Sequence, residues 1–260
     1  MGLILGVLAS GGAAGAPAAP VAGYNLWLDA ADATSFTFSS GTVVSQWTDK
    51  SVNAYAFTQA TVANQPTRST TQNSKSTVLY DGTNDSLIST ATASTWTFLS
   101  NGDGASVFAV LKSTATSAGL SAWLATAGGD SGQVGIFEFF NSNLFISDTT
   151  KGVPGTEIAA SVAHTISAWN VWSYYLDQDN ATTANKIRIY KDDGGVNANN
   201  TTATTASNSN PNKTLNIGNN GSAGPYYFKG EIAEIIIYPS IISNDDRQAN
   251  VDYLQAKWGL

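Results

Sequence analysis

Apolar and polar positions along this chain alternate in short runs broken by turn residues, and almost nowhere at helical spacing. Tyr24 to Asp29 (YNLWLD) alternates as a half-buried strand does, Thr42 to Trp47 reads as a second strand, and Tyr55 to Gln59 as a third. Between them Ala30 to Ser35 is a turn that Asp32 can cap, and Asp49 to Asn53 is another turn. Further runs follow at Ser106 to Leu111, Leu120 to Ala125, Val134 to Phe140, Leu144 to Ser147, His164 to Ser167, Asn170 to Leu176, Lys186 to Tyr190 and Thr214 to Ile217. This rhythm predicts an all-β, antiparallel two-sheet sandwich.

The pattern changes only at the end of the chain. Ile232 to Tyr238 is a nearly continuous β-branched and aromatic run, which suits a strand covered on both faces. Pro239 ends it, because proline cannot donate to a ladder. Ser243 with Asp246 three residues later resembles a capping box, and Val251, Leu254 and Trp258 recur at helical spacing. Lys257 in the last turn and Gly259 beyond it complete one short C-terminal helix, Asn244 to Lys257, with Trp258 expected in the core.

Composition agrees with a β protein carrying long polar loops. Charged residues are 12% of the 260, about half the roughly 25% usual for soluble domains, and Ser, Thr, Asn and Gly replace them. Asp192 to Asn212 holds few apolar residues and reads as an exposed loop at the rim. The net charge of −7, with twelve basic residues scattered along the chain, supplies no cationic stripe for nucleic acid. Without cysteine there are no disulfides or thiolate nucleophiles. The chain is long enough to bury one large core and shows neither an internal repeat nor a second-domain linker.

Four stretches carry a family resemblance: LWLDAADATSFT, VSQWTDKSVNAYAFTQATVANQPT, VLYDGTNDSLIS and GEIAEIIIYPSIISNDDRQANVDYLQAKWGL. They resemble the concanavalin A-like, laminin-G-like jelly-roll domains of bacterial secreted proteins and phage structural proteins. The resemblance covers roughly Tyr24 to Ile88 and Phe228 to Leu260, and the middle of the chain follows only by strand rhythm. It implies two antiparallel sheets packed face to face, with the first and last strands as neighbours.

Some jelly rolls of this kind are glycoside hydrolases, which need two carboxyl groups about 5 to 9 Å apart across the sugar. The chain has four glutamates, Glu138, Glu157, Glu231 and Glu234. In the family's hydrolases the acids alternate along one strand. Glu231 and Glu234 are three apart, which in a regular strand sends them to opposite faces. Glu138 in IFEFF reads as the outward residue of an alternating strand. Gly129 to Gly132 (GDSG) matches the residues around the nucleophile of chymotrypsin-like proteases, but the lone His164 follows the serine instead of preceding it. The expectation is therefore a protein that is not an enzyme, with no catalytic residues and no cofactor.

Two binding chemistries remain. Asp81, Asn84 and Asp85 in YDGTNDSL, and Asp177 and Asp179 in LDQDN, offer oxygen ligands for calcium, yet neither completes an EF-hand loop and the first set reads as a turn. No metal site is expected. Among the seven tryptophans, Trp27, Trp47 and Trp258 read as core, while Trp96, Trp123, Trp169 and Trp172 are free to form a platform on which sugar rings stack.

Residues 1–23 form a separate segment ahead of the sandwich at 24–260. Leu3 to Leu8 is apolar and resembles a secretory signal, but it is too short to span a bilayer, and no Lys or Arg occurs before Lys50. Leu3, Ile4, Leu5, Val7 and Leu8 are expected to bind other subunits, since each apolar side chain buried recovers roughly 1.5 to 3 kcal/mol. With the resemblance to phage proteins, whose N-terminal segments are rich in Gly, Leu and Ala, this predicts a virion structural protein. It would be a capsid-decoration or tail-fibre type, displayed on the virion surface and joined through its arm to itself (a trimer) or to other virion subunits. The alternative is a secreted, extracellular carbohydrate-binding module or adhesin that contacts glycans. A glycoside hydrolase would explain the fold alone.

Overall fold

The computed structural model describes residues 19–100, 104–115, 120–126, 136–140, 144–150, 157–199, 213–220 and 226–260. The N-terminal segment up to residue 18, with Leu3, Ile4, Leu5, Val7 and Leu8, lies outside the described residues, and so does the GDSG stretch.

Seventeen strands are present among the described residues. They are β1 (Leu26–Asp29), β2 (Phe36–Ser40), β3 (Val43–Thr48), β4 (Ala56–Thr58), β5 (Thr67–Gln72), β6 (Lys75–Asp81), β7 (Leu87–Ser89), β8 (Ala105–Ser113) and β9 (Leu120–Ala125). After these come β10 (Ile136–Phe140), β11 (Leu144–Thr150), β12 (Glu157–Ala163), β13 (Asn170–Leu176), β14 (Ile187–Lys191), β15 (Val196–Asn199), β16 (Asn216–Ile217) and β17 (Lys229–Tyr238). One helix, α1 (Asn244–Trp258), follows. Every ladder between these strands is antiparallel.

Strand pairing builds two layers. In the first, β17 has β8 along one edge and shares the other between β6 and β1; β13, β14 and β15 extend it beyond β8, and β5 beyond β6. The second runs β2, β3, β4, β7, β16, β9, β10, β11, β12. A single pairing, Val43 with Thr67, joins the layers at one corner. This is an all-β sandwich, and the first strand does lie beside the last, Leu26 opposite Ile237.

Residues paired across a ladder share a face, so the register sorts the first layer into an inner and an outer surface. Leu26, Ile237, Val107, Tyr174 and Ile189 form one inner row, all buried. Across the interface the Trp123 ring stands 6.2 Å from that of Tyr174. The outer surface of the same layer is also buried over much of its area, because α1 lies on it: Val251, Leu254 and Trp258 are fully covered. That is why β17 reads as apolar on both sides.

The helix follows its sequence signals. The Ser243 hydroxyl accepts from the Asp246 amide at 3.1 Å and donates to the Asp246 carboxylate at 2.7 Å. Gly259 closes the helix in a left-handed conformation, φ +69°.

Several expectations shift. His164 to Ser167 is not a strand; the strand is β12, just before it, and the chain turns at Ser167 with φ +63°. Phe36–Ser40 and Thr67–Gln72 are additional strands in stretches without clear alternation. Part of the polar stretch from Asp192 pairs as β15 on β14, while residues 200–212 lie outside the described residues.

Candidate functional site

The outer surface of the first layer is laid out in rows two residues apart along each strand. One row runs Asp29, Glu234, Val110, Val171; the next Trp27, Ile236, Phe108, Ser173, Tyr190; the next Tyr238, Ser106, Tyr175, Arg188. On the other side of the Glu234 row lie Glu231 and Lys112. Helix α1 covers the middle, and polar groups gather on both sides of it.

Placing Glu231 and Glu234 on one surface needs a defect in β17. Ile232 pairs with Leu111 and Glu234 with Val110, which leaves Ala233 over as a bulge. One extra residue reverses the alternation. The expectation that the two carboxylates point to opposite faces is therefore wrong: Glu231 faces outward with Lys112, and Glu234 outward with Val110.

They are nevertheless not arranged as a catalytic pair. Glu234 is 0% exposed beneath α1. It accepts from Trp27 Nε1, Tyr253 Oη and Trp258 Nε1, each at 2.7 Å, and pairs with Lys257 Nζ at 2.7 Å. Lys257 also pairs with Asp29 at 2.7 Å, and Lys50 bridges Asp29 and Asp32 at 3.0 and 2.9 Å. Burial pushes the Glu234 carboxyl upward against the pull of Lys257, and Asp29 adds like charge. At the exposed end Asp32 is lowered to about 2 by hydrogen bonds from Thr34 and Lys50. This alternating chain of charges ties helix to sheet.

Glu231 has a different setting. Lys112 Nζ pairs with its Oε1, and Thr77 Oγ1 donates to its Oε2 at 2.9 Å, with Thr70 and Thr77 hydroxyls 2.6 Å apart behind. Lys112 Nζ stands 5.0 Å from the centre of the Trp169 ring. Trp169 precedes β13 and is half-buried. Of the four tryptophans expected as a platform, Trp96, Trp123 and Trp172 are core, the last only 1% exposed, and Trp169 is half-buried. Trp27, expected in the core, is half-buried, its ring under Lys50 Nζ at 4.3 Å. A tryptophan face beside a lysine ammonium can stack on a sugar ring and hydrogen-bond its hydroxyls. Lys112 was legible as the lone charge inside an apolar strand, VFAVLKS, but it draws notice only once Trp169 stands beside it.

Of the carboxylates weighed for calcium, Asp81 and Asp85 accept from backbone amides of their own turn. Asp81 Oδ1 accepts from the Thr83 and Asn84 amides at 2.7 and 3.3 Å, and Asp85 Oδ2 from the Asp81 amide at 2.9 Å. Burial pushes Asp85 up to about 6. Asp177 accepts from Asn180 Nδ2 at 2.7 Å. Among the described residues no three His, Cys, Asp or Glu side chains gather as metal ligands. His164 is buried, which lowers its pKa. The side chains of Glu138 and Glu157 lie outside the described residues.

No protein-family model matches the chain, and no curated protein does. Solved structures do. A Trypanosoma rangeli sialidase in complex with the inhibitor DANA is 12% identical with a TM-score of 0.59, covering 92% of this chain and 34% of that one. The same enzyme in complex with 2,3-difluorosialic acid is 15% identical, TM-score 0.55, covering 93% and 34%. The chain thus spans about a third of the length of these sialidases. The CBM40 domain of a Ruminococcus gnavus sialidase bound to α2,3-sialyllactose is 14% identical, TM-score 0.44, over 56% of this chain and 81% of that one. At these identities the likeness to the sialidases is one of fold. Among the described residues no helix is long and apolar enough to cross a membrane.

Proposed function

We propose that this chain is a non-catalytic, extracellular carbohydrate-binding sandwich of the concanavalin A-like, laminin-G-like kind. One observation supports it above the rest: Trp169, unlike Trp96, Trp123 and Trp172, is only half-buried, and its ring lies 5.0 Å from Lys112 Nζ, which pairs with Glu231. A sialidase that shares the fold is seen in complex with 2,3-difluorosialic acid, which agrees with this reading without identifying the sugar bound here. The absence of hydrolysis is part of the proposal, because Glu231 is held by Lys112 and Thr77 and Glu234 is sealed under α1. The comparisons offer no support for a virion role, and the arm that would carry it lies outside the described residues.

Screening the protein against a glycan panel tests the reading. Binding should appear for at least one saccharide, weaken tenfold or more in Trp169→Ala with the melting temperature unchanged, and release no reducing ends. A screen with no binder, or a Trp169→Ala protein that binds as wild type, overturns it.

A further inference from the structure

On the other side of α1 the same surface holds a cluster of donors with nothing to donate to. Arg247, in the first turn of the helix, is only 7% exposed, and its Nε and Nη1 have no hydrogen-bond partner. Its Nη2 makes one long contact, 3.4 Å, to the side chain of Gln248. Arg188 on β14 has a buried, unpartnered Nε, and the Ser173 hydroxyl, in the Tyr190 row, is buried without a partner too. The two guanidiniums bracket one aromatic pair: Arg247 lies 4.6 Å over the Tyr190 ring, Arg188 4.8 Å over the Tyr175 ring, and the rings stand edge to face at 5.3 Å. Both cations pull on the Tyr175 hydroxyl, whose pKa burial raises and they lower.

A buried guanidinium stays charged, and leaving it without an anion is costly. Stacking on tyrosine offsets part of that cost. Among the described residues neither arginine has an acidic partner within ion-pair distance. The nearest acids along the helix are Asp245, which is exposed, and Asp246, whose carboxylate is engaged by Ser243. The cluster therefore presents two positive charges and several free N–H donors, with only the neutral Gln248 Oε1 and Ser173 hydroxyl as acceptors. A carboxylate is the complement, being acceptor-only with about four lone-pair sites and matched to the guanidinium fork. On the β15 side Arg188 is half-buried and Val196, opposite Tyr190, is 47% exposed.

We infer that the arginine cluster between the first turn of α1 and strands β13 and β14 binds the carboxylate of an acidic saccharide, held by Arg247 and Arg188 over Tyr190 and Tyr175. The saccharide part rests on the carbohydrate-binding reading above; the carboxylate part rests on the unpartnered guanidiniums. This site is separate from Trp169, which lies six residues up β13 from Tyr175, roughly 20 Å at about 3.3 Å per residue.

The test compares melting temperatures in glucuronate, glucose and acetate at equal ionic strength set with chloride, for wild type, Arg247→Met and Trp169→Ala. Wild type should be stabilised by glucuronate and not by glucose. Arg247→Met should lose that response while melting, without ligand, no lower than wild type, since a methionine relieves an unpaired buried charge. Trp169→Ala should keep the glucuronate response, which separates failure here from failure of the Trp169 reading. If neither glucuronate nor acetate stabilises wild type over chloride, or if Arg247→Met melts well below wild type without ligand, the carboxylate site is overturned. If acetate stabilises as strongly as glucuronate, the assignment to a saccharide is overturned.

Discussion

Trp27 and Trp258, from opposite ends of the sandwich sequence, donate their indole N–H groups to the two oxygens of one carboxylate, Glu234, each at 2.7 Å. First strand, last strand and terminal helix meet at this group, with Lys257 and Tyr253 completing its shell.

Glu234→Ala should be the most damaging single change on this surface. It strands two indoles, a tyrosine hydroxyl and half the pairing of Lys257 in a buried site, where breaking an ion pair costs about 3 to 5 kcal/mol. Urea unfolding measures it; a loss below about 1 kcal/mol would mean the network is dispensable.

Asp85 predicts a pH effect of known sign. Its folded pKa, about 6, lies above the ordinary 3.8 because burial disfavours the charged form. A raised pKa contributes stability that is complete below about pH 4 and is lost as pH rises through about 6. Asp85→Asn should therefore be more stable than wild type at pH 7.5, with the advantage fading by pH 4. Chemical denaturation at the two pH values checks this, and an equal difference at both would refute it.

Gly230 lies where β17 crosses Lys112: a Cβ there would approach the Lys112 carbonyl oxygen at 2.2 Å. Gly230→Ala should cost about 2 to 3 kcal/mol through overpacking, and it should weaken glycan binding by moving Lys112 and Glu231. A melting curve superimposable on wild type would contradict the close approach.

Ser243→Ala removes both halves of the exchange with Asp246, and loss of an N-cap costs about 1 kcal/mol. Circular dichroism during denaturation should show α1 and the sheet lost in one earlier transition, because the helix is clamped to β17. Separate transitions would show that the Glu234 clamp does not couple them.

Much of the scaffold is readable in advance because its signals are local. Ile232 to Tyr238 is apolar on both sides, and it is a strand with the sandwich core on one face and α1 on the other. Ser243, Asp246, Lys257 and Gly259 mark the helix with cap chemistry that needs no tertiary partner. Strands such as Asn170–Leu176 coincide with their apolar runs. Thr67–Gln72 (TRSTTQ) was not readable, since it is polar on both faces and so shows no alternation, and its pairing with β6 decides it.

The sequence by itself determined the class of fold and the position of the closing strand and helix, because propensity, capping and alternation act within a few residues. Only the tertiary structure decided where the chemistry sits. The bulge at Ala233 arises from the match between β17 and β8, and it turns Glu231 and Glu234 to one surface against the parity of their spacing. Burial separates Trp169 from the core tryptophans, although all sit in similar stretches. Arg247, in NDDRQ, reads as a solvated helix face, and it becomes an unpaired buried cation only because α1 folds back over Tyr190 on a strand more than fifty residues earlier in the chain. Such contacts join residues whose local sequences carry no record of one another.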